Sequence, residues 1–426
     1  MSGPISETAA FGVSMDVPNL SMSGLGSLSP DLRGQSLQCG QRYSITAVPA
    51  PGFLFSSWTG GVIPASTILT NKSTLLFLMQ SNLVLQANFV TNFFIPNKGT
   101  YNGIFSDRNM TNPATSGSLT ISVTDHGAFS GSIVIAGVTN GLSGQFDVVG
   151  NAVKQIGSPS SDPTRLYLTL DPNTSGQITG SVSNGQWNVF LRAVRGGFNS
   201  VSNPATNYAR RYTVVLPGVD GDASLPAGYG YATLYVDLGG KATLVGKLSE
   251  GTTWSQAVLV SSTGEWPLYV PLSGKKGMTV GWMNLKTNAA NGCDGRLNWI
   301  KAAGGGTSYT NGFIRGGIAA YGSAWQAHSP AFPWTNGLAI FSGGGLTNSF
   351  TNTFQLRANN AITSTNALTL TNNTSLGSLS GTVTPPANLG ASKFSFQGVW
   401  LQNQLSGYGW FTNKGTSGKL ELMILQ

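Results

Sequence analysis

The sequence predicts an all-β protein, and low charge, alternating apolar runs and abundant turn residues are the three observations that predict it. Charged residues make up only 9% of the 426 residues, against about 25% in typical soluble domains. Long surface helices rich in Glu and Lys are therefore not expected. The chain holds 57 glycines, and short alternating runs recur between Gly, Asn and Pro, which is typical of antiparallel strands joined by turns.

Residues 1–14 are expected to be the end of a preceding segment or a linker, because the run TAAFGVSM (8–15) reads like the end of a strand. This N-terminus lacks the basic and apolar regions of a signal peptide. We therefore expect either a removed signal or a piece of a longer chain. No apolar run reaches the ~18 residues that a membrane helix needs, so no membrane-spanning helix is expected.

Residues 15–92 are predicted to form one small β-rich module. The run 43–47 alternates between apolar and polar residues and gives one buried strand face. A Pro-Ala-Pro-Gly turn follows at 49–52, and the run 83–89 alternates again. Trp58 is predicted to pack in the core of the module rather than to bind a ligand.

A specific pattern of residues runs through this module. It begins with Gly-x-Gly-x-Leu-x-Pro at 24–30 and ends with Ala-Asn-Phe at 87–89. Between them lie Gly40, Tyr43, Thr46, Ala47, Pro49, Gly52, Phe55, Trp58, Gly60 and Met79. In this pattern the module resembles the divergent InlB B-repeat family, the bacterial repeats of cell-surface proteins. The resemblance implies a β-grasp-like spacer without catalysis on an exported bacterial protein, located extracellularly or at the cell surface.

Residues 93–426 are predicted to form a large antiparallel, strongly curved or closed β-barrel built from repeated hairpins. A strand, an Asp- or Asn-containing turn with Gly, and a returning strand recur along this region. A glycine inside each returning strand predicts a bulge or a close approach of two backbones. These strands are GAFSGSIVI (127–135), GQITGSVS (176–183), GKATLVGKL (240–248), GMTVGWMNL (277–285) and GSLSGTVTP (377–385).

The stretches 97–216, 229–334 and 335–426 each hold several such strands. One barrel of roughly 15–20 strands is the preferred arrangement. Two packed β-domains divided near 217–228 are the alternative, because PGVDGDASLPAG is the most linker-like stretch of the chain. The final segment, 394–425, loosely resembles C-terminal β-rich segments of large exported proteins of the Verrucomicrobia, which implies secretion only.

Candidate catalytic groups are few, because the chain has 15 carboxylates and two histidines. A glycosidase needs two carboxyl groups about 5–10 Å apart, and Glu250 and Glu265 are the candidate pair. A polysaccharide lyase needs a base and a cation that neutralises the uronate. His126 or His328, with Tyr321, Arg315 and Arg357, would supply these groups.

The stretch 318–337 breaks the hairpin rhythm and concentrates aromatic residues in one long loop. Long irregular loops on β scaffolds are often functional. Tyr321, Trp325, His328 and Trp334 are therefore candidate ligand-binding residues, and a plug that closes one end of the barrel is the alternative. Eight tryptophans follow residue 250. Most are expected in the core, and at least one is expected to be an exposed platform for a sugar ring.

No cofactor and no metal site are expected. Asp220 and Asp222 in VDGDAS are weak calcium candidates, because the stretch lacks the further acids of a calcium loop, including a bidentate Glu. An ordinary turn is the alternative. Cys39 and Cys293 are too far apart in sequence to suggest a disulfide scaffold or a metal knuckle. Two unpaired buried thiols are expected, with a single bridge as the alternative.

The formal net charge of +8 is spread thinly along the chain, so a nucleic-acid partner is not expected. The leading interpretation is a non-catalytic, exported surface, adhesion or ligand-binding protein. Its expected partner is a polysaccharide or another cell-surface ligand, with self-association possible through sheet edges. A secreted carbohydrate-active enzyme, or a fragment of one, is the alternative. An outer-membrane barrel is disfavoured, because the alternating strands carry Ser, Thr and Asn on one face.

Overall fold

A computed structural model describes most of the protein, and it forms two compact units. The first unit comprises the described part of residues 1–98 together with the turns 124–128 and 145–151, and the second comprises the rest. The predicted all-β fold class is confirmed. The described residues are 12–62, 67–107, 111–157, 163–172, 176–287, 292–304, 307–327, 336–357, 359–365, 367–389 and 391–425.

The first unit contains nine strands and one short helix, α1 (Phe94–Asn97). The strands are β1 (Met15–Asp16), β2 (Asn19–Ser23), β3 (Gly26–Ser29), β4 (Leu37–Gln38), β5 (Arg42–Pro49), β6 (Phe53–Val62), β7 (Thr67–Thr70), β8 (Thr74–Leu78) and β9 (Leu83–Thr91).

Two sheets enclose the core of the first unit. One has the order β2-β9-β6-β7, in which β2 runs parallel to β9, and the other has the antiparallel order β3-β5-β8. Ile45 and Ala47 are buried, as the alternation of the sequence predicts. Trp58 is fully buried and donates its indole Nε1–H to the Ser73 carbonyl oxygen at 2.9 Å. The predicted core position of Trp58 is therefore confirmed.

The second unit is built from three eight-stranded antiparallel sheets, each nearly closed into a barrel. Sheet I contains β10 (Gly99–Phe105), β11 (Gly117–Val123), β12 (Ala128–Ile135), β13 (Val138–Gln145), β14 (Asn151–Ile156), β15 (Thr164–Leu170), β16 (Gln177–Ser183) and β17 (Asn188–Arg195). Sheet II contains β18 (Arg211–Leu216), β19 (Gly230–Val236), β20 (Lys241–Lys247), β21 (Thr253–Leu259), β22 (Glu265–Leu272), β23 (Gly277–Leu285), β24 (Gly292–Lys301) and β25 (Phe313–Trp325). Sheet III contains β26 (Asn336–Gly343), β27 (Phe350–Leu356), β28 (Ile362–Ser364), β29 (Leu368–Asn373), β30 (Ser378–Val383), β31 (Phe394–Leu401), β32 (Ser406–Asn413) and β33 (Thr416–Ile424). Short 3₁₀ turns lie at Pro113–Thr115, Ser273–Lys275, Ala387–Leu389 and Gln402–Gln404.

Each sheet is an up-and-down meander whose first strand pairs with its last, so β10 pairs with β17, β18 with β25 and β26 with β33. Sheet I has the order β13-β12-β11-β10-β17-β16-β15-β14, and sheet II repeats this topology strand for strand. The seam of each sheet is the gap between its two edge strands, which do not pair with each other. It lies between the fourth and fifth strands of sheets I and II, but between the third and fourth strands of sheet III, β28 and β29. The fully buried side chains of sheet II include Trp254, Trp266 and Trp299.

The glycines inside the returning strands sit where two backbones approach closely, as predicted. A Cβ atom added at Gly180, Gly246 or Gly281 would lie 1.9–2.0 Å from a carbonyl oxygen of the neighbouring strand. The same holds for Gly131 in sheet I and Gly381 in sheet III, at 2.1 and 1.9 Å. Only a residue without Cβ fits at such an approach.

At the seam of sheet II, a side chain joins the edge strands β21 and β22 in place of a ladder of backbone hydrogen bonds. Gln256 on β21 donates its Nε2–H to the carbonyl oxygen of Pro267 at 3.2 Å and accepts the N–H of Tyr269 at 3.0 Å. Pro267 and Pro271 stand two residues on either side of Tyr269 and present their nitrogens to the same side of β22. Proline has no N–H, so these positions leave no donor at the seam.

The hairpin region therefore folds as three sheets rather than as one larger barrel. Residues 217–229 connect β18 to β19 within sheet II. Their linker-like composition reflects a hairpin connection that carries Pro217, Pro226 and six Gly, Ala or Ser residues between two largely buried strands. The boundaries proposed at 14/15 and 92/93 stay predictions.

Candidate ligand-binding groove

A groove of about 1010 Å³ lies between sheets I and II within the second unit. Sheet I contributes residues of β10 and β17, and sheet II contributes residues of β23, β24 and β25. The segment 111–113, which precedes β11, forms part of one wall. Ligand sites commonly occupy such concave junctions between packed layers.

The pleat of β23 places Trp282 in this groove. Met283 points into the core of sheet II and is 1% exposed, so Trp282 points to the opposite face. Val280 lies on the same face as Trp282 and is buried against Ile104 of sheet I. The groove begins where this contact between the two sheets ends, and Trp282 is half-buried at that point.

A guanidinium group lies over the Trp282 ring. The Cζ atom of Arg192 is 4.4 Å from the ring centroid, within the range of a cation–π interaction. Arg192 also donates two hydrogen bonds to the carboxylate of Glu265, and the Nη1–Oε1 distance is 2.7 Å. Both side chains of this pair are less than one-third exposed. Glu265 therefore holds Arg192 in place and compensates its charge.

A second guanidinium and two amides complete the polar lining. Arg296 is exposed, and its Nη1 donates one long hydrogen bond of 3.4 Å to the Gly317 carbonyl oxygen. Asn298 donates to the Thr111 hydroxyl at 2.7 Å and accepts the Gly317 N–H at 2.7 Å. No carboxylate lines the groove among the residues that the structure describes.

The structure places two of the four sequence-predicted ligand residues away from this groove. Trp325 is 3% exposed in the core of sheet III and donates its indole Nε1–H to the Thr374 carbonyl oxygen at 2.7 Å. Tyr321 is half-buried between sheets II and III, with its ring centroid 6.1 Å from that of Tyr408. Burial raises the pKa of Tyr321. His328 and Trp334 lie outside the described residues.

The two carboxylates predicted as a catalytic pair lie at opposite ends of one strand. Glu250 precedes β21 and Glu265 follows it, and seven residues of extended strand span roughly 23 Å. Glu250 is 8% exposed, and its Oε2 has no hydrogen-bond partner among the described residues. Burial raises the pKa of Glu250. The structure thus does not bring this pair within the separation that a glycosidase needs.

Arg315, the cation considered for lyase chemistry, donates Nη1–H to the Pro217 carbonyl oxygen at 2.7 Å. Burial lowers its pKa. The half-buried guanidinium therefore anchors the connection between β18 and β19. It does not line the groove.

The weak calcium candidates have other partners. Asp220 forms an ion pair with Lys419 at 2.6 Å. Asp222 accepts the backbone N–H and the hydroxyl of Ser224, and these hydrogen bonds lower its pKa. Asp222 is therefore a turn cap. Within the described ranges, no group of three or more His, Cys, Asp or Glu residues could hold a metal ion.

Cys39 is half-buried and Cys293 is buried, and neither is in a disulfide. Burial raises the pKa of the Cys293 thiol to about 12. Both thiols are unpaired, as expected, but only Cys293 is buried. Separately, none of the helices in the described chain has the length and apolar character that crossing a membrane requires.

Comparison with known proteins supports the repeat module. Residues 20–93 match the model of the Divergent InlB B-repeat domain, which confirms the resemblance found in the sequence. This match fits an exported bacterial surface protein. Among curated proteins the comparison finds no match, and no comparison supports the expected likeness of 394–425 to verrucomicrobial segments.

Solved structures give only distant likenesses. A double mutant of the vaccine antigen Transferrin Binding Protein B from Haemophilus parasuis Hp5 is 10% identical, with 93% of this chain and 84% of that chain covered and a TM-score of 0.19. Intact Ap-TbpB is 9% identical, with 94% and 86% covered and a TM-score of 0.18. A DUF3598-family protein of unknown function from Nostoc punctiforme PCC 73102 is 12% identical, with 55% and 98% covered and a TM-score of 0.13. TM-scores this low do not establish a common fold.

The groove was not predicted as a site from the sequence. Trp282 is one of the eight tryptophans that follow residue 250. No local signal joins position 192 to position 282, because their contact depends on how two sheets pack. The alternation of β23 is also obscured, since both of its faces are largely buried.

Proposed function

We propose that this protein is exported to the bacterial surface or the extracellular space, and that it binds a carbohydrate without catalysis in the groove between sheets I and II. The observation that carries this proposal is the half-exposed Trp282 beside two guanidinium groups and the amide of Asn298. An aromatic ring can stack on the C–H face of a sugar, while planar polar groups fix its hydroxyls.

The repeat module supports the exported location and supplies the spacer. Its family model covers residues 20–93, and its core is separate from those of the three sheets. We propose that the module acts as a spacer in the exported protein. The secreted and adhesive character that we propose for the protein is supported by the repeat module. The carbohydrate binding that we propose is supported by the residues that line the groove.

A binding role is favoured over hydrolysis by the charges around the groove. A glycosidase needs one protonated and one ionised carboxyl group facing the bond to be cleaved. The described lining contains neither. Glu265 holds Arg192, and Glu250 is buried at the other end of β21.

The test is affinity electrophoresis of the full chain through gels that contain neutral or acidic polysaccharides, with the same samples examined for shortened products. We expect retention without products. Trp282→Ala should weaken retention about thirtyfold, because truncating a central aromatic contact typically costs 2 kcal/mol or more.

Tyr235→Ala is the matched control. Tyr235 is also a strand aromatic beneath a guanidinium, with Arg211 Cζ 5.1 Å from its centroid, but it does not line the groove. Equal loss in both variants, or no retention of the unmodified protein by any polysaccharide, would reject the groove as a glycan site. Shortened products would instead establish the enzyme alternative.

A further inference from the structure

The charges that line the groove are uneven. Arg192 and Arg296 both line it, and no carboxylate does so among the described residues. Glu265 compensates the charge of Arg192 from behind. Arg296 belongs to none of the ion pairs in the described part of the chain. The groove thus presents one uncompensated positive charge.

Arg296 lines the groove, and most of its N–H donors have no hydrogen-bond partner among the described residues. A guanidinium has five N–H donors in a planar fork, and the one hydrogen bond that Arg296 makes within the described chain, to the Gly317 carbonyl oxygen, uses one of them. The Gly317 backbone is itself fixed, because its N–H donates to Asn298, whose amide is held by Thr111. The fork is therefore anchored on one side and open on the other.

The strand register sets this open fork beside the aromatic platform. Arg296 on β24 is the direct cross-strand partner of Trp282 on β23, and such partners have Cβ atoms about 4.5–5.5 Å apart on one face of the sheet. The substituents of a sugar ring stacked on the Trp282 indole would therefore lie within reach of the Arg296 guanidinium. A carboxylate or a sulfate is the group that a guanidinium fork binds with two parallel hydrogen bonds.

We infer that the groove selects an anionic sugar, with Trp282 stacking on the ring and Arg296 binding a carboxylate or sulfate substituent. This inference rests on the proposed function and narrows its ligand class. Asn298 is a positioning residue that keeps the Gly317 carbonyl in place beneath Arg296. The net charge of +8 favours the approach of an anionic polymer.

The experiment compares pairs of polysaccharides that share a backbone, of which one member carries an anionic group that the other lacks or has blocked. Polygalacturonate is paired with its methyl ester, and dextran sulfate is paired with dextran. Affinity of the full chain is measured for each at low and at high NaCl. We expect at least one charged member to bind about tenfold more tightly than its neutral partner, with an advantage that shrinks as salt screens the contact. The pair that shows the advantage identifies carboxylate or sulfate as the anion.

Two variants with the same change in net charge test the residue. Arg296→Gln should remove the tenfold advantage and leave the neutral polysaccharides unaffected. Arg211→Gln, which changes an exposed arginine on β18 outside the groove, should preserve the advantage. Equal effects of the two variants would overturn the assignment of Arg296.

The remaining outcomes separate this inference from the proposed function. Equal affinity for charged and neutral members overturns the anionic preference and leaves a carbohydrate-binding groove standing. Equal affinity for poly-glutamate overturns sugar recognition, because charge alone would then explain binding. Failure to bind any member of the panel overturns both.

Discussion

At the scale of single residues, the tryptophans show how position in the sheet decides the role of a side chain. Trp299 is fully buried in the core of sheet II, Trp325 lies in the core of sheet III, and Trp282 faces the groove. All three belong to consecutive strands of sheet II, Trp282 to β23, Trp299 to β24 and Trp325 to β25. Their difference arises from which face of a strand meets another sheet, and that is fixed only in the folded molecule.

Trp325→Ala should destabilise the protein by about 3–5 kcal/mol, because it would empty a large volume in the core of sheet III and leave the Thr374 carbonyl without its donor. Urea unfolding of the full chain measures this change. Tyr167→Ala, at a side chain that is 40% exposed, should change stability by less than about 1 kcal/mol. A stable Trp325→Ala protein that loses glycan retention would restore the role that the sequence first indicated.

Glu250 offers a second test at this scale, through pH. Its folded-state pKa is raised by burial, whereas the unfolded chain ionises at about 4.3. The folded state favours the protonated carboxyl group. The stability that this preference contributes is complete below pH 4.3 and is lost as the pH rises through the folded-state pKa. Nearby Lys301 partly opposes the shift, and burial lowers its own pKa.

Above about pH 4.3, the unfolding free energy of Glu250→Gln should therefore fall less steeply with pH than that of the unmodified chain. The two slopes should differ by at most about 1.4 kcal/mol per pH unit. Urea unfolding over this pH range measures the slope. The unmodified chain, measured under the same conditions, is the control. An unaltered slope in Glu250→Gln would show that the carboxyl group is not buried as described.

At the scale of strands and turns, the hairpin with an internal glycine is the repeated element of sheets I, II and III. The close approach at Gly246, where an added Cβ would lie 2.0 Å from the Tyr231 carbonyl oxygen, leaves no room for a larger residue. Gly141 on β13 differs, because nothing lies within 4 Å of its added Cβ. The two positions therefore form a matched pair of strand glycines.

Gly246→Ala should lower the unfolding free energy by about 1–3 kcal/mol, because the strands must separate to admit the methyl group. Gly141→Ala should be neutral or slightly stabilising, because it reduces the freedom of the unfolded chain. Thermal and urea unfolding compare the two variants. Equal losses would indicate that the effect comes from strand propensity and not from the close approach.

The hairpin elements were predictable from sequence because each is local. Gly180 and Gly281 stand a few residues after their turns, and both show the close approach that their positions indicated. The closing pair of each sheet was not predictable, since Tyr101 meets Arg195 across nearly the whole length of sheet I. The groove depends on a still later step, the packing of one completed sheet against the next.

At the scale of the whole molecule, two compact units each contain their own buried core. Trp58 is fully buried in the first unit, and Trp299 is fully buried in the second. Unfolding of such a chain is not expected to follow a single two-state transition. Calorimetry of the full chain should therefore resolve at least two transitions.

Each transition should respond to a substitution in its own core. Trp58→Ala should lower the midpoint temperature of one transition, and Trp299→Ala should lower that of another. Each substitution leaves a cavity that costs about 3–5 kcal/mol of unfolding free energy. A single transition that moves with both variants would contradict separate cores.

The pairing of terminal strands also determines how the protein bears a pulling force. In the repeat module, β2 and β9 are parallel, from Asn19 opposite Val84 to Ser23 opposite Asn88. Tension on the two ends of the module draws these strands in opposite directions and loads all their hydrogen bonds in shear at once. In sheets I, II and III the first and last strands are antiparallel, so the same tension peels the ladder apart one bond at a time. A chain pulled by its two ends would therefore yield first in sheets I, II and III, and the repeat module would be the last part to extend.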